Sequence, residues 1–401
     1  MTRTRVTLTS LAAALLLSAS AASAQSGATR PRRVIPTQPA PAPVAPESAG
    51  AQPSAAQPAR PTAQAGAQGV ARALSLLEQK QFEAALTEAR ALTEREPSNS
   101  DAWKIAGFAG YGLKRYGEAA ADLQRAADLQ KAAGKPDRPT EELLAESYFL
   151  AENYERALPL LASATGRAGA APDARLLYYR AVAEQKTGRA AEAERTYGEV
   201  LKADPKNTSA LFNLGLIAYN RNDHTAAINY LNRATLADPR LEPAWKALVN
   251  SYLRRAATLQ GPKAEADYQA AVRAGESFQR LRDNAESQAL LGQALLYAKQ
   301  FVRAAAQLER AAASADAPAN TDYLLGYAQV QAKNFPKAAA ALERAAQRTP
   351  DNADVYRLLG FSYESVKQYA KALQAYERGL QLAPADEYFK ESADRVRPFA
   401  R

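Results

Sequence analysis

His224 is the one side chain whose ordinary titration falls near neutral pH, because the 401-residue chain holds a single histidine. There is no cysteine, and the one methionine is the first residue. A thiol nucleophile, a disulfide framework, a cysteine zinc site, an iron–sulfur centre and a CxxC redox pair are therefore all excluded. Any Ser–His–Asp triad would have to use His224, and any histidine metal site would have one such ligand. Gly134-Lys135 is followed by Pro136 and lacks the upstream glycine of a phosphate loop, and no Gly-x-Ser-x-Gly elbow occurs. The paired carboxylates Glu141-Glu142 and Glu192/Glu194 are scattered over segments that read as solvated helix faces. This inventory points away from an enzyme and implies no cofactor and no metal.

What must position such side chains begins with the charge. The net charge is +9, but residues 1–24 carry +2 through Arg3 and Arg5. Residues 25–66 carry +3, from Arg30, Arg32, Arg33 and Arg60 against Glu47, which leaves +4 for all the rest. A nucleic-acid surface gathers its cations on one face, whereas here both signs alternate along the chain, so no nucleic-acid partner is expected. The first 24 residues read as a signal peptide. Arg3 and Arg5 precede a mostly apolar run from Leu8 to Leu17, and Ala22-Ser23-Ala24 supplies small residues for cleavage before Gln25. The run is short for a spanning helix and is interrupted by Thr9 and Ser10, which disfavours a retained anchor. Residues 25–66 hold nine of the 23 prolines and read as an extended linker. No second long apolar stretch follows, so the mature chain should have no transmembrane span and should lie in the periplasm, cell envelope or extracellular space.

From residue 67 onward the sequence repeats. Gly292, Gly326 and Gly360 are 34 apart; Gly215 lies 34 after Ala181, and Gly107 lies 34 after Ala73. Twelve residues after each of these, and after Ala145 in the same column, comes an alanine: Ala85, Ala119, Ala157, Ala193, Ala227, Ala304, Ala338 and Ala372. Three residues before that alanine stand Phe82, Tyr116, Tyr154, Phe301, Phe335 and Tyr369, and His224 occupies the same column, where a packed ring is its expected role. Pro97, Pro205, Pro239, Pro350 and Pro384 follow twelve residues after it, ending five of the units because proline has no amide proton to continue a helix. Apolar residues recur at helical spacing in Val355–Tyr363 and again from Ala370 to Leu382, so each unit reads as a pair of helices. The small-residue columns allow the two helices to approach closely.

The pattern resembles the tetratricopeptide repeat family. Tyr356, Leu359, Gly360, Tyr363, Ala372, Tyr376 and Pro384 carry the motif in the last unit, and Leu211, Leu214, Gly215, Ala227, Leu231, Ala234 and Pro239 carry it in the fifth. The resemblance implies an all-α solenoid of about nine helix-turn-helix repeats over residues 67–384, wound as a right-handed superhelix. Residues 385–401 would add a capping helix and tail, with Phe389, Ala393 and Val396 on one face. Three departures are visible: extra residues around Ala132–Asp137, others around Gly166–Gly169, and nine more near Gln260-Gly261-Pro262 in the sixth unit. That unit has Val249 where glycine is expected, Ala270 in its alanine column, and the prospect of a longer helix or a hinge.

The resemblance further implies a concave groove lined by the first helix of each pair. Counting from the glycine column, the inward stripe is Lys104, Phe108 and Tyr111; Tyr178; Phe212 and Tyr219; Lys246 and Asn250; Tyr297; Tyr323 and Tyr327; and Arg357 with Phe361. These rings either anchor a ligand or fill space between neighbouring helices. Carboxylate-clamp members of the family need further polar positions where this chain has Leu290, Asn320 and Leu324. Only Lys246 and Asn250 match, so a clamp for a chaperone tail is not supported. The expected function is a non-catalytic scaffold of the cell envelope that holds a peptide or protein partner in the groove. The alternative is a scaffold associated with polysaccharide export or glycan binding.

Overall fold

The computed structural model describes residues 63–166 and 173–400. The signal peptide expected over residues 1–24 and the proline-rich stretch up to residue 62 lie outside the described residues. Nineteen α-helices and a final 3-10 turn are described, with no strand among the described residues. In chain order they are α1 Ala63–Glu78, α2 Phe82–Arg95, α3 Ser100–Gly112, α4 Tyr116–Ala132, α5 Arg138–Leu150, α6 Tyr154–Thr165, α7 Ala174–Lys186 and α8 Ala190–Ala203. Then follow α9 Thr208–Asn220, α10 His224–Ala237, α11 Glu242–Thr258, α12 Gly261–Leu281, α13 Ala285–Tyr297 and α14 Phe301–Ala312. The last are α15 Thr321–Gln331, α16 Phe335–Arg348, α17 Ala353–Ser365, α18 Tyr369–Leu382 and α19 Glu387–Val396. They divide into two compact units, one ending at Thr196 and one beginning at Tyr197.

Helix starts follow the short polar side chains. The Asn99 carboxamide oxygen accepts from the Asp101 and Ala102 amides, Asp137 caps α5, Asp223 caps α10 and Asn284 forms a reciprocal capping box with Ser287. The column prolines fall just beyond second helices, and two of them are clamped: the indole N–H of Trp103 donates to the Pro97 carbonyl and that of Trp245 to the Pro239 carbonyl, each at 2.9 Å.

Within each hairpin the small columns meet. All eight column alanines are completely buried. A Cβ placed on Gly107, Gly215, Gly292 or Gly326 would stand 2.4–2.7 Å from the Cγ of the leucine sixteen residues on, respectively Leu123, Leu231, Leu308 and Leu342. At Gly360 the facing residue is Tyr376, at 2.4 Å. Where the column holds Ala73 the residue sixteen on is Ala89, whereas Ala145 and Ala181 are followed at that spacing by Leu161 and Tyr197, all of them buried.

The turn inside each hairpin has its own rule. Lys80, Lys114, Glu152, Asn222, Lys299, Lys333 and Lys367 all take left-handed backbone with φ between 57° and 62°, and Gly188 holds the same place in another hairpin, while Gly261, also left-handed, opens α12 itself. Side chains other than glycine pay a steric penalty there. Replacing Lys299, Lys333 and Lys367 together by glycine is expected to raise unfolding free energy by about 1 kcal/mol, the relief exceeding glycine's entropic cost. Denaturant titration checks it, and an unchanged or lower midpoint would refute it.

The sixth unit absorbs its insertion as helix. α11 has 17 residues and α12 has 21, against 11–14 in the three hairpins that follow. Leu253, Ala256 and Ala271 are buried along the extended pair, and Arg255 donates twice at 2.7 Å to Asp267, which is itself buried. The structure therefore has the longer helix and a closed hairpin at this point. It corrects one register: Ala271, not Ala270, enters the core, because the insertion rotates α12 by one residue. At the far end Phe389, Ala393 and Val396 of α19 are buried against α18, capping the stack.

Candidate functional site

The close-packing glycines point each first helix toward its own second helix. Residues three before and one after that column therefore face elsewhere. In both units successive first helices touch one another, α1 to α3, α3 to α5 and α5 to α7, and again from α9 through α17. They form a continuous row within each unit, and the candidate residues lie on it.

In the unit ending at Thr196, Lys104 pairs with Asp137 at 2.8 Å and its ammonium lies 5.8 Å from the Phe108 ring centre. The Tyr111 hydroxyl donates to Glu146 at 2.9 Å and its ring meets Tyr116 edge-on. Arg175 closes on the same carboxylate at 2.7 Å. Glu146 is 3% exposed. Burial raises its pKa, and the Tyr111 hydrogen bond and Arg175 oppose that rise only in part. Burial and the Glu146 bond likewise push the Tyr111 phenol up. Tyr178 lies 6.3 Å from Tyr179, which stacks on Phe149 at 4.3 Å. Glu146, Phe149, Arg175 and Tyr179 are site residues that the inward stripe omitted. Glu146 was findable, because it follows Ala145 as Phe108 follows Gly107.

In the second unit Phe212 and Tyr219 are half-buried on α9. Tyr219 packs at 5.5 Å against His224, whose Nδ1 has no hydrogen-bond partner and whose pKa is lowered by burial and by Arg254. This is a packed, neutral ring at the hairpin turn. Lys246 is bound to Glu286 across to α13, and Asn250 is partly exposed one turn on. Tyr297 and Tyr323 are only 8% and 7% exposed. Tyr297 stacks on Tyr268 at 5.6 Å, an α12 residue that the stripe did not include. These two rings thus fill space between helices, and Tyr327, half-buried beside them, keeps a face outward. Arg357 binds Asp354 and Asp386 and lies 4.6 Å and 4.9 Å from the ring centres of Tyr388 and Phe389, so it secures the cap. Phe361, 37% exposed, meets Phe335 edge-on.

The arrangement can bind through rings, hydroxyls and amides, since its prominent cations are already engaged. Among the described residues no cluster of three or more His, Asp or Glu side chains could hold a metal, and no helix is long and apolar enough to cross a membrane.

A tetratricopeptide repeat family model matches residues 70–136, 180–241 and 323–387. No curated protein sequence matches the chain. Among solved structures, YrrB, described as a protein of this family with an unusual peptide-binding site, is 17% identical with a TM-score of 0.41, covering 49% of this chain and 97% of its own. MamA from Desulfovibrio magneticus RS-1 is 22% identical with a TM-score of 0.39, covering 45% and 97%. PilW, a type IV pilus biogenesis factor, is 14% identical with a TM-score of 0.41, covering 54% and 97%.

Proposed function

The chain belongs to the tetratricopeptide repeat family, and on that premise we propose that it is a non-catalytic scaffold of the cell envelope holding a peptide or protein partner along its first helices. One observation carries the reading: the first-helix rows keep half-exposed rings, at Phe108, Tyr111 and Tyr178 in one unit and at Phe212, Tyr219 and Tyr327 in the other, while Lys104, Lys246 and Arg357 are neutralised within their own units. A surface of rings gives large contact area at small entropic cost, and such anchors dominate protein recognition.

The test compares Tyr219→Ala and Tyr327→Ala with a combined Arg30, Arg32 and Arg33 to Ala change, each captured against an envelope extract after cross-linking. Once helicity and melting are shown to be unchanged, each tyrosine variant should lose about 2 kcal/mol of partner binding, ~30-fold in affinity. The arginine variant should shift only rate and salt dependence. Normal binding by the tyrosine variants with failure of the arginine variant would transfer the function to the leader. The envelope location rests on Arg3, Arg5, the Leu8–Leu17 run and Ala22-Ser23-Ala24. N-terminal analysis of the native protein should read from Gln25; a cytoplasmic chain starting at Met1 would sink it.

A further inference from the structure

The turns of the last three hairpins differ in charge from the rest. Residues 298–303, 332–337 and 366–371 contain Lys299, Arg303, Lys333, Lys337, Lys367 and Lys371 and no acidic side chain. The corresponding turns elsewhere each carry an acid: Glu83, Glu118, Glu152, Glu192, Asp223 and Glu265. Lys299, Lys333 and Lys367 hold the left-handed position, are exposed, and have no ion-pair partner among the described residues. The acids nearby are already engaged: Glu276 by Arg303, Glu309 by Lys337, Glu343 by the Tyr363 hydroxyl and Glu364 by Arg395. Three residues beyond each lysine stands an exposed apolar residue, Val302, Pro336 or Ala370. Val302 is 75% exposed. Phe399, 64% exposed, joins them, because the final turn Arg397–Phe399 sets its ring centre 5.3 Å from that of Tyr369. Since α13, α15 and α17 touch in succession, the three turns fall on one edge of the second unit.

Nothing in the fold calls for this composition. Left-handed backbone favours glycine over lysine, and an exposed apolar side chain at a hairpin tip gains little from its own chain. A row of uncompensated ammonium groups beside exposed apolar groups complements a surface that is anionic outside and apolar just beneath. That is the chemistry of a bilayer interface rich in anionic lipid. The ammonium groups meet headgroup phosphates, while the lysine stems and the apolar side chains settle at the acyl boundary. A soluble polyanion would satisfy the lysines and leave Val302 and Phe399 without a counterpart.

We propose that the turn edge of α13 to α18 is a peripheral docking site for an anionic lipid surface. Lys299, Lys333 and Lys367 supply the attraction, and Val302 and Phe399 are shallow apolar anchors. Each ammonium contributes about fivefold to partitioning, so the three together supply ~100-fold. The edge is formed by hairpin tips, apart from the rings of the first-helix row, so the chain can rest on a membrane and hold a partner at once.

The experiment uses the full chain carrying Arg30→Ala, Arg32→Ala and Arg33→Ala, so that the leader's cluster adds no charge of its own. Binding is measured to vesicles of phosphatidylcholine alone and of phosphatidylcholine with one-third phosphatidylglycerol. The gain on adding the anionic lipid should fall at least tenfold in the triple variant Lys299→Gln, Lys333→Gln and Lys367→Gln. It should be kept when the same lysines become arginine and should vanish at high salt. The triple change to glycine, expected above to be the more stable, should lose the gain equally, which separates binding from folding. Because the chain has no cysteine, a dye on Val302→Cys reports position. Its emission should shift to the blue on anionic vesicles, whereas a dye on Leu236→Cys, 83% exposed near the other end of α10, should not shift. A gain that survives the glutamine changes, or an unshifted dye at Val302→Cys, would overturn the proposal. Dextran sulfate bound as tightly as the anionic vesicles, with no dye shift, would also overturn it and reassign the edge to an acidic polymer.

Discussion

Replacing Phe389 by alanine is expected to lower stability by about 3–5 kcal/mol and to unravel the C-terminal end first. The ring is completely buried on α19. It lies so close to α18 that a Cβ on Gly379 would stand 2.0 Å from it. The Arg357 guanidinium lies 4.9 Å from the ring centre and Tyr388 meets it edge-on. In a linear array each hairpin is held by its nearest neighbours, and the last one has a neighbour on one side only. Losing the ring therefore removes much of the cover over α18, leaving Ala393 and Val396 of α19 and the contact of Phe399 with Tyr369. Denaturant titration should show the lost stability, and hydrogen exchange should show α18 and α19 opening ahead of α9 to α16. A loss under about 1 kcal/mol with α18 still protected would show that the cap is ornamental.

The second large effect is a coupling. Gly326→Ala should cost about 1–2 kcal/mol, because its Cβ would sit 2.4 Å from the Leu342 Cγ and the overpacking outweighs alanine's better helix propensity. Leu342→Ala should cost about 2–5 kcal/mol, since the side chain is fully buried and leaves a cavity. The double variant should cost less than the sum by at least ~1 kcal/mol, as the added methyl enters the space the leucine vacated. Strict additivity in a double-mutant cycle would mean that the glycine column has some cause other than this contact.

That contact explains why so much of the fold was legible. Gly326 and Leu342 are sixteen residues apart on the two arms of one hairpin, and Gly107/Leu123, Gly215/Leu231 and Gly292/Leu308 repeat the spacing. A contact made within one hairpin has a fixed sequence separation, so it prints a column at period 34. The left-handed turn was less legible. Its φ is imposed by the tight connection, and lysine occupies it at Lys80, Lys114, Lys299, Lys333 and Lys367 where glycine would have announced it.

The sequence by itself determined the helical-hairpin period, the small-residue columns where paired helices approach, and which residues lie on the first-helix row. All of these are contacts local to one hairpin. Only the tertiary structure decided which of those row residues remain open to a ligand. Tyr297 is closed by Tyr268, on a second helix whose register the insertion has shifted. Lys246 is neutralised by Glu286, forty residues on. Tyr111 and Arg175 are drawn together on Glu146 across three first helices. Those contacts run between hairpins, where the separation in sequence changes with each insertion and the outcome depends on how neighbouring helices rotate. No column records that rotation, so side chains with the same register become core at Tyr323 and half-exposed at Phe212.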